Sequence, residues 1–332
     1  MSKKFRFERL NPQSNVLPSI AHAVGETPLV DLSRLVKHLG GEGHILAKCE
    51  YLNPGFSKKD RPALQMIIEA RENGELKEGQ TVVERTSGNT GTGLAIACAT
   101  LGHPFIAVIS KGNSIERVRM MKALGAKVVR VDQAPGSKPG QVTGADQALV
   151  VARAKQLVEE LGAFRPDQFN MPGIITCHFE TTGPEIMRQS GGNIDAYCDF
   201  IGSGGWFGGL GKYLQEQIPG FACYGVEPEG AEKLAGKEVV KPTHVIQGGG
   251  YGLKDLMALE GFEVNGYLAV SDERATACTR ALAKMEGIFA GFSSGANVAA
   301  ALELLKGPHK GGTILVVVCD SGLKYLSTKL WN

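Results

Sequence analysis

The chain has 332 residues, 43% hydrophobic and 21% charged, and this length favours two domains or one large α/β unit. The net charge of +2 and the lack of a basic tract give no indication of binding to nucleic acid or to an anionic membrane. The scattered cysteines and histidines show no CxxC or HxxxH spacing, the N-terminus is polar, and no apolar run reaches the ~18 residues of a membrane span. These features predict a cytoplasmic protein with reduced, buried thiols and without a metal site.

Short β-branched runs alternate with longer helical patterns along the chain. Strands are predicted at 45–50, 81–84, 105–109, 127–131, 200–201 and 314–318. Helices are predicted at 62–72, 90–101, 114–124, 147–161, 210–217, 272–286 and 296–305. Strands that are followed by helices predict an α/β fold with mainly parallel sheets and right-handed crossovers. The stretch 132–144, with two prolines and three glycines, interrupts this rhythm. It is either a surface loop over the mouth of a site or a tolerated insertion.

Five segments carry residue types that are suited to chemistry. A lysine in NPGFSKKDR (53–61) stands between a strand and a helix. Burial there would lower the pKa of the lysine and leave a neutral amine that can react with an aldehyde. TSGNTGTG (86–93) and GSGGWFGG (202–209) would leave backbone N–H groups at helix starts able to bind an anion. GFSSGA (291–296) and DSGLKYLST (320–328) complete the set. Each segment alone also fits a cap, a tight turn or a surface charge, and neither the Walker A loop nor the dinucleotide fingerprint is present.

In this order the segments resemble the fold-type II family of enzymes that depend on pyridoxal 5′-phosphate (PLP). The resemblance is to the branch of cysteine synthase (O-acetylserine sulfhydrylase) and cystathionine β-synthase, and it covers about residues 20–328. The matching motifs are GETPLVDL (25–32), NPGFSKKDR (53–61), TSGNTG (86–91), QF…TTGPEI (168–186), GSGGW (202–206), SSGA (293–296) and DSGLKYLST (320–328). The resemblance implies an α/β protein of two domains, each with a mainly parallel twisted sheet flanked by helices, as in the tryptophan synthase β chain.

The resemblance also implies how the chain divides. Residues 1–165 are predicted to form the N-terminal domain, with a mobile carboxylate-binding subdomain at about 86–145, while the first ~40 residues could pack on the other domain. Residues 166–332 are predicted to form the domain that binds the PLP phosphate. Relatives are commonly homodimers, so a homodimer is expected.

Individual site residues follow from the matched motifs. Lys59 corresponds to the lysine that binds PLP through a Schiff base and then moves protons at the substrate Cα, whereas Lys58 is interpreted as a surface charge. The predicted cofactor-binding residues are Lys59, Asn89, Gly202, Ser203, Gly204, Gly205, Trp206 and Ser293. The predicted substrate-binding residues are Thr86, Ser87, Gly88, Asn89, Thr90, Gln168, Gly250 and Tyr251.

Two of these residues carry chemical information. Ser293 corresponds to the residue that faces the pyridine nitrogen of PLP. A serine, unlike a carboxylate, does not hold that nitrogen protonated, which favours loss of a β-leaving group over transamination. Trp206 stands where the family has a threonine, and its only donor is the ring N–H. Either this N–H contacts the phosphate, or a nearby group takes over and the indole shapes the pocket.

The predicted function is β-replacement on an activated L-serine, O-acetyl- or O-phosphoserine, or on cysteine, through an α-aminoacrylate and with a nucleophile such as sulfide or a thiol. Three alternatives stay open: β-elimination by a cysteine desulfhydrase or serine dehydratase, a cystathionine β-synthase-like condensation with a larger nucleophile, and a non-catalytic metabolite sensor. Lys111 either recognises an anionic group or is solvated, and Tyr251 resembles a tyrosine of cystathionine β-synthases.

Overall fold

The computed structural model describes residue 5 and residues 16–86, 88–137 and 142–332. The protein forms two compact units. The first contains Asn53–Gly173 and the described residues up to Val24, and the second contains Gly25–Leu52 and Ile174–Asn332. The boundary in the middle of the chain therefore falls after Gly173, whereas the sequence predicted it after residue 165. Residues 25–52 belong to the second unit because both strands in this stretch pair within its sheet.

The elements alternate between strand and helix along most of the chain. The strands are β1 (Leu29–Asp31), β2 (His44–Lys48), β3 (Val82–Arg85), β4 (Phe105–Ser110), β5 (Lys127–Val131), β6 (Ala196–Phe200), β7 (Ala222–Pro228), β8 (Gly266–Val270) and β9 (Thr313–Val317). The helices are α1 (Ser33–His38), α2 (Asp60–Glu72), α3 (Asn89–Leu101), α4 (Ile115–Ala123), α5 (Gly144–Leu161), α6 (Gly173–Cys177), α7 (Gly183–Ser190), α8 (Gly205–Gln217), α9 (Asp272–Glu286) and α10 (Phe292–Lys306). A π-helical turn, His178–Thr182, joins α6 to α7.

The first unit is built on a three-stranded parallel sheet in the order β3-β4-β5. Every residue of β4 is buried, as expected of the central strand of a parallel sheet that is covered on both faces. Apolar side chains of β3 and β4 pack against one face of α5, which includes Val150, Ala154 and Leu157. A capping box between Thr143 and Asp146 starts α5, and this explains why the helix begins three residues before the predicted start at 147.

The second unit is built on a six-stranded sheet in the order β1-β2-β9-β6-β7-β8. Only the edge strand β1 is antiparallel to its neighbour. The core of this unit contains α10, whose run from Phe292 to Leu302 is buried at every residue. A helix that is apolar on all sides belongs inside a protein. The central position of α10 places its N-terminus at the carboxyl ends of the strands, where α/β sheets bind ligands.

The predicted α/β fold is confirmed, and the predicted helices and strands are present with ends that shift by up to five residues, except that the strand predicted at 200–201 coincides with β6 only at Phe200. Sequence periodicity missed β1, α1, β7, β8 and the segment from α6 to α7. These elements are short or interrupted by glycine and proline, so their apolar pattern is too brief to show a period. The predicted burial of the cysteines is confirmed, because all seven are buried free thiols. Within the described part of the chain, none of the helices combines the length and apolar character of a membrane span.

Candidate active site

Lys59 lies at the start of α2, where it is the N-cap residue. Its backbone N–H donates to the Ser57 hydroxyl over 3.3 Å, and its carbonyl accepts from Ala63 over 3.0 Å. The start of α2 packs closely on α3, because a side chain on Gly93 would lie 2.8 Å from Ala63 Cβ and 3.0 Å from the Lys59 carbonyl. This packing fixes Lys59, which is half-buried, next to the helix that Asn89 opens.

The loop before α3 is organised by one hydroxyl group. Thr86 Oγ1 accepts hydrogen bonds from the backbone N–H groups of Gly88, over 3.2 Å, and Gly91, over 2.8 Å. Thr90 is buried, and its hydroxyl donates to Gln168 Oε1 over 2.7 Å. The structure thus joins two residues that are 78 positions apart and that the family motifs predict as contacts of one carboxylate. Ser87, another predicted contact, lies outside the described residues.

Arg117 also belongs to the surroundings of this loop, and the sequence reasoning missed it. A Cβ atom on Gly88 would meet Arg117 at 3.0 Å from Cδ and 3.1 Å from Nη1. The guanidinium therefore lies against the loop that is predicted to bind the substrate carboxylate, where a fixed positive charge favours an anion. Arg117 ends the segment ISKGNSIER (109–117), and no spacing rule connects that segment to Gly88.

The glycine loop of the second unit runs from the end of β6 into α8. Gly204 is the N-cap residue of α8 with φ +83°, a left-handed conformation that favours glycine. A side chain on Gly205 would overlap the Ile174 carbonyl oxygen, and one on Gly202 would overlap that of Gly248. Because glycine has no side chain to cap the helix, the first N–H groups of α8 can bind an anion, and the helix dipole favours that binding.

The predicted substrate loop at Gly250 lies beside the glycine loop. The Gly250 N–H donates to the Ile201 carbonyl over 3.2 Å. A cavity is lined by Ile201 and Gly202 from one loop and by Gly250 and Tyr251 from the other, with Glu227 at its wall. Burial raises the pKa of Glu227, whose carboxylate accepts hydrogen bonds from the N–H groups of Leu234 and Ala235. Tyr251 itself is exposed.

Trp206 is buried as the second residue of α8. Its indole packs edge to face on the imidazole of His178, with 4.8 Å between the ring centroids. His178 Nδ1 lies 2.9 Å from the Thr182 hydroxyl inside the π-helical turn. This arrangement supports the second alternative for Trp206, in which the indole shapes the pocket and a different group contacts the phosphate. The His178 ring packs against the indole. Turns of this kind recur at functional sites.

Ser293 lies one residue inside the start of α10 and is buried. The next residue, Ser294, accepts a hydrogen bond from the Cys319 N–H over 2.9 Å. Asp320 follows β9, and its side chain accepts from the Tyr325 hydroxyl over 2.7 Å. The motifs SSGA and DSGLKYLST are therefore adjacent in the second unit, although they are remote in sequence.

The surroundings of Lys58 and Lys111 test the two sequence-based interpretations of these lysines. Lys58 is only 9% exposed, so its interpretation as a surface charge was wrong. Lys58 directly precedes Lys59, the N-cap residue of α2, and is followed by Asp60 and Arg61, which are also buried. Lys111 forms an exposed ion pair with Asp132, with 2.5 Å between Nζ and Oδ1. This pairing supports the solvated alternative for Lys111.

A buried carboxyl group lies two residues before Thr86: Glu84 ends the buried part of β3 and is 1% exposed. Burial raises its pKa to about 8, while the nearby Arg165 guanidinium acts in the opposite direction. Arg165 Nε lies 3.6 Å from Glu84 Oε2. A carboxyl group with this pKa changes its charge within the physiological range.

The chemistry of these residues fits PLP. Lys59 carries a primary amine, the type of group that an aldehyde requires, and Asn89 opens α3 beside it. In the second unit, the glycine N-cap of α8 gives a helix start suited to a phosphate, and Ser293 carries a hydroxyl at the start of α10. Among the described residues no group of three or more His, Cys, Asp or Glu side chains is arranged to hold a metal ion.

Comparison with known proteins gives the class of the chain. The family described as pyridoxal-phosphate dependent enzyme matches residues 20–320. A cysteine synthase of Staphylococcus aureus is 39% identical over 95% of this chain and 97% of that protein. The structure of an O-acetylserine dependent cystathionine beta-synthase from Helicobacter pylori has a TM-score of 0.85 at 32% identity, covering 96% of this chain and 99% of that one. The structure of a hydrogen sulfide-producing enzyme from Fusobacterium nucleatum has a TM-score of 0.83 at 33% identity, covering 95% and 100%.

The fold and these relatives define a PLP-dependent enzyme of fold type II. The chain belongs to the pyridoxal-phosphate dependent enzyme family, in its cysteine synthase and cystathionine β-synthase branch. The predictions of the fold, of the cofactor and of chemistry at the amino-acid β-carbon are thereby confirmed.

Proposed function

We propose that this enzyme replaces the β-substituent of O-acetyl- or O-phospho-L-serine with sulfide or a small thiol. The observation that carries the proposal is the Thr90–Gln168 hydrogen bond. It places a hydroxyl, an amide and the N-terminus of α3 around one point, which suits the α-carboxylate of an amino acid. The start of α2, with Lys59, is packed against the same helix.

Each residue has a stated role in this proposal. Lys59 holds the cofactor and moves the proton at the substrate Cα, while Thr86, Thr90 and Gln168 orient the carboxylate. The start of α8 binds the cofactor phosphate, and Ser293 faces the pyridine nitrogen. Bound PLP supplies the electron sink that makes the Cα proton acidic. The guanidinium of Arg117 adds positive charge beside Gly88 and favours an anionic substrate.

The test is a matrix of amino-acid donors and nucleophiles, with products and pyruvate measured together by mass spectrometry. O-acetylserine, O-phosphoserine, serine and cysteine are each combined with sulfide, cysteine or homocysteine. We expect the replacement product to exceed pyruvate when an activated serine meets sulfide. Turnover of serine or cysteine alone, with pyruvate as the main product, would contradict the proposal.

β-Elimination from cysteine is the second candidate, and the similarity to a hydrogen sulfide-producing enzyme supports it. In that case the same carboxylate loop and Lys59 act, but no nucleophile adds at Cβ, and the released aminoacrylate hydrolyses to pyruvate and ammonia. Sulfide release from cysteine alone, with an equal amount of pyruvate and without a thioether or serine product, would favour elimination over replacement.

We also propose that the enzyme is a cytoplasmic homodimer, as its cysteine-synthase relatives suggest. Light scattering coupled to gel filtration should give about twice the mass of the 35.3 kDa chain. A monomer mass at micromolar concentration would contradict the dimer.

A further inference from the structure

Gln168 lies in a short segment after α5, residues 164–170, which is outside the named helices and strands. Two backbone hydrogen bonds join the beginning of this segment to β3. The Phe164 N–H donates to the Thr81 carbonyl, and the Val83 N–H donates to the Phe164 carbonyl, each over 2.9 Å. Because loops are held less tightly than the elements they connect, the side-chain contacts around Gln168 decide where its amide lies.

Two arginine contacts tie the segment to the last residues of β3. Arg165 Nε lies 3.6 Å from Glu84 Oε2. The Arg85 guanidinium lies over the ring of Phe169, with 5.0 Å between its carbon atom and the ring centroid, a distance at which a cation is attracted to an aromatic face. One contact comes before Gln168 in the sequence and the other directly after it. The end of β3 therefore holds the segment on both sides of Gln168.

The same end of β3 leads into the loop that Thr86 organises. Glu84 stands two residues before Thr86, and the loop continues to Thr90, whose hydroxyl donates to Gln168 Oε1 over 2.7 Å. The contact between Arg165 and Glu84 closes a ring: it runs along the chain from Glu84 to Thr90, across to Gln168, and back through Arg165. The distance between the two predicted carboxylate contacts thus depends on the contact between Arg165 and Glu84.

Burial makes this contact an expensive one. Glu84 is 1% exposed, and within the described part of the chain neither Glu84 Oε2 nor Arg165 Nε has a hydrogen-bond partner. Burial raises the pKa of Glu84 to about 8, the charges of Arg165 and Arg85 lower it, and that of Asp167 raises it. Apolar side chains of similar volume could hold two segments together at least as well as a buried ion pair. Buried polar groups without partners therefore call for a functional explanation.

We propose that Arg165 and Glu84 are positioning residues that hold the Gln168 amide within hydrogen-bonding distance of Thr90. This role rests on the proposed binding of the substrate α-carboxylate by Thr90 and Gln168. Without the pair, the backbone bonds of Phe164 remain, but Gln168 loses its support on one side, and the carboxylate loses one well-placed hydrogen bond. The cofactor contacts of Lys59 and of the second unit stay in place.

The test compares Arg165→Met with Arg153→Met, a control on α5 that removes an arginine paired with Glu160 over 3.2 Å. Both holoenzymes are titrated at pH 9, where Glu84 is ionised, with L-alanine, which has the α-amino and α-carboxylate groups but no β-leaving group. The visible absorption band of bound PLP reports the binding. For Arg165→Met we expect about tenfold weaker binding of L-alanine, the effect of one hydrogen bond, with PLP affinity unchanged. The control should keep both wild-type affinities.

Wild-type affinity for L-alanine in Arg165→Met would overturn the inference. An equal loss of affinity for PLP and for L-alanine would also overturn it, because the arginine would then support the fold in general.

If Arg165→Met does not fold, Glu84→Gln decides. This variant should bind L-alanine more weakly than the wild type at pH 9 and equally well at pH 6, where the wild-type carboxyl group is protonated. Equal or tighter binding at pH 9 would overturn the inference. These titrations need no turnover, so a failure of the proposed replacement reaction would be seen separately in the wild-type product assay.

Discussion

The two units prepare ligand binding in different ways. In the first unit, the predicted site is made of polar side chains such as Lys59, Thr90 and Gln168; Thr90 is hydrogen-bonded to Gln168, and the backbone N–H of Lys59 donates to the Ser57 hydroxyl. In the second unit, the predicted phosphate site is made mainly of backbone, and glycines bring one chain segment directly onto another. We infer that substitutions in the first unit mainly remove chemistry, whereas substitutions in the second mainly disturb the fold and cofactor binding.

The largest effect that would test this contrast is expected for Lys59→Ala in the first unit. Product formation should fall on the order of 10³-fold or more, because both the cofactor link and the proton transfer are lost. Mass spectrometry after borohydride reduction should show no label on the variant protein, while its melting temperature stays near that of the unloaded wild type. The matched control is Lys58→Ala, which removes a lysine one residue away and should keep the label. A label at Lys58 in the wild type or in the Lys59→Ala variant would contradict the assignment.

In the second unit we expect Gly205→Ala to destabilise the fold by about 3 kcal/mol, at the upper end of overpacking effects. The added methyl group would overlap the Ile174 carbonyl oxygen, and a backbone atom cannot rotate away. Urea unfolding of the apoenzyme measures the change, and PLP titration should show weaker binding. Gly144→Ala, at the start of α5 with nothing within 4 Å of the new atom, is the control in the first unit. A Gly205→Ala protein with wild-type stability would break the proposed contrast.

A buried charge in the first unit gives a pH-dependent prediction. The pKa of Glu84 rises from an ordinary 4.5 when unfolded to about 8 when folded. Between these values the folded state binds more protons than the unfolded state, so the free energy of unfolding falls as the pH rises. The titration of Glu84 alone should lower the free energy of unfolding of the wild type by about 2 kcal/mol between pH 6 and pH 8.

Glu84→Gln should remove this slope, because an amide does not titrate. The comparison is urea unfolding of both proteins across the pH range, with the difference between them as the readout. Equal slopes for the variant and the wild type would show that Glu84 does not carry a raised pKa.

The smallest expected effect concerns backbone strain beside Lys59. Phe56 has φ +62°, a left-handed conformation that is costly for a residue with a Cβ atom, and its side chain is exposed. Phe56→Gly should therefore raise the free energy of unfolding by about 0.5–1 kcal/mol. Phe56→Ala keeps the Cβ atom and should show no such gain. A loss of stability in the glycine variant would mean that the exposed ring contributes more than the strain costs.

The sequence predicted much of the fold because its strongest signals are local. The strands at 105–109 and 127–131 and the helix at 272–286 appear almost residue for residue, since each has an uninterrupted apolar pattern. The motifs also placed Lys59, Asn89, Gly204 and Ser293 at helix starts, because hydroxyl residues, glycines and lysines between a strand and a helix imply a turn with exposed N–H groups.

By itself, the sequence determined the α/β class, because the apolar period is a property of neighbouring residues, and it determined the cofactor and the reaction type through the resemblance of its motifs to those of a known family. Only the tertiary structure decided the burial of Lys58, the hydrogen bond between Thr90 and Gln168, and the assignment of 25–52 to the second unit. It also brought Asp199 to Asn297 across 98 positions. Contacts between residues that are remote in sequence depend on the order of the strands in each sheet and on the packing of helices against it. No local pattern along the chain encodes that order.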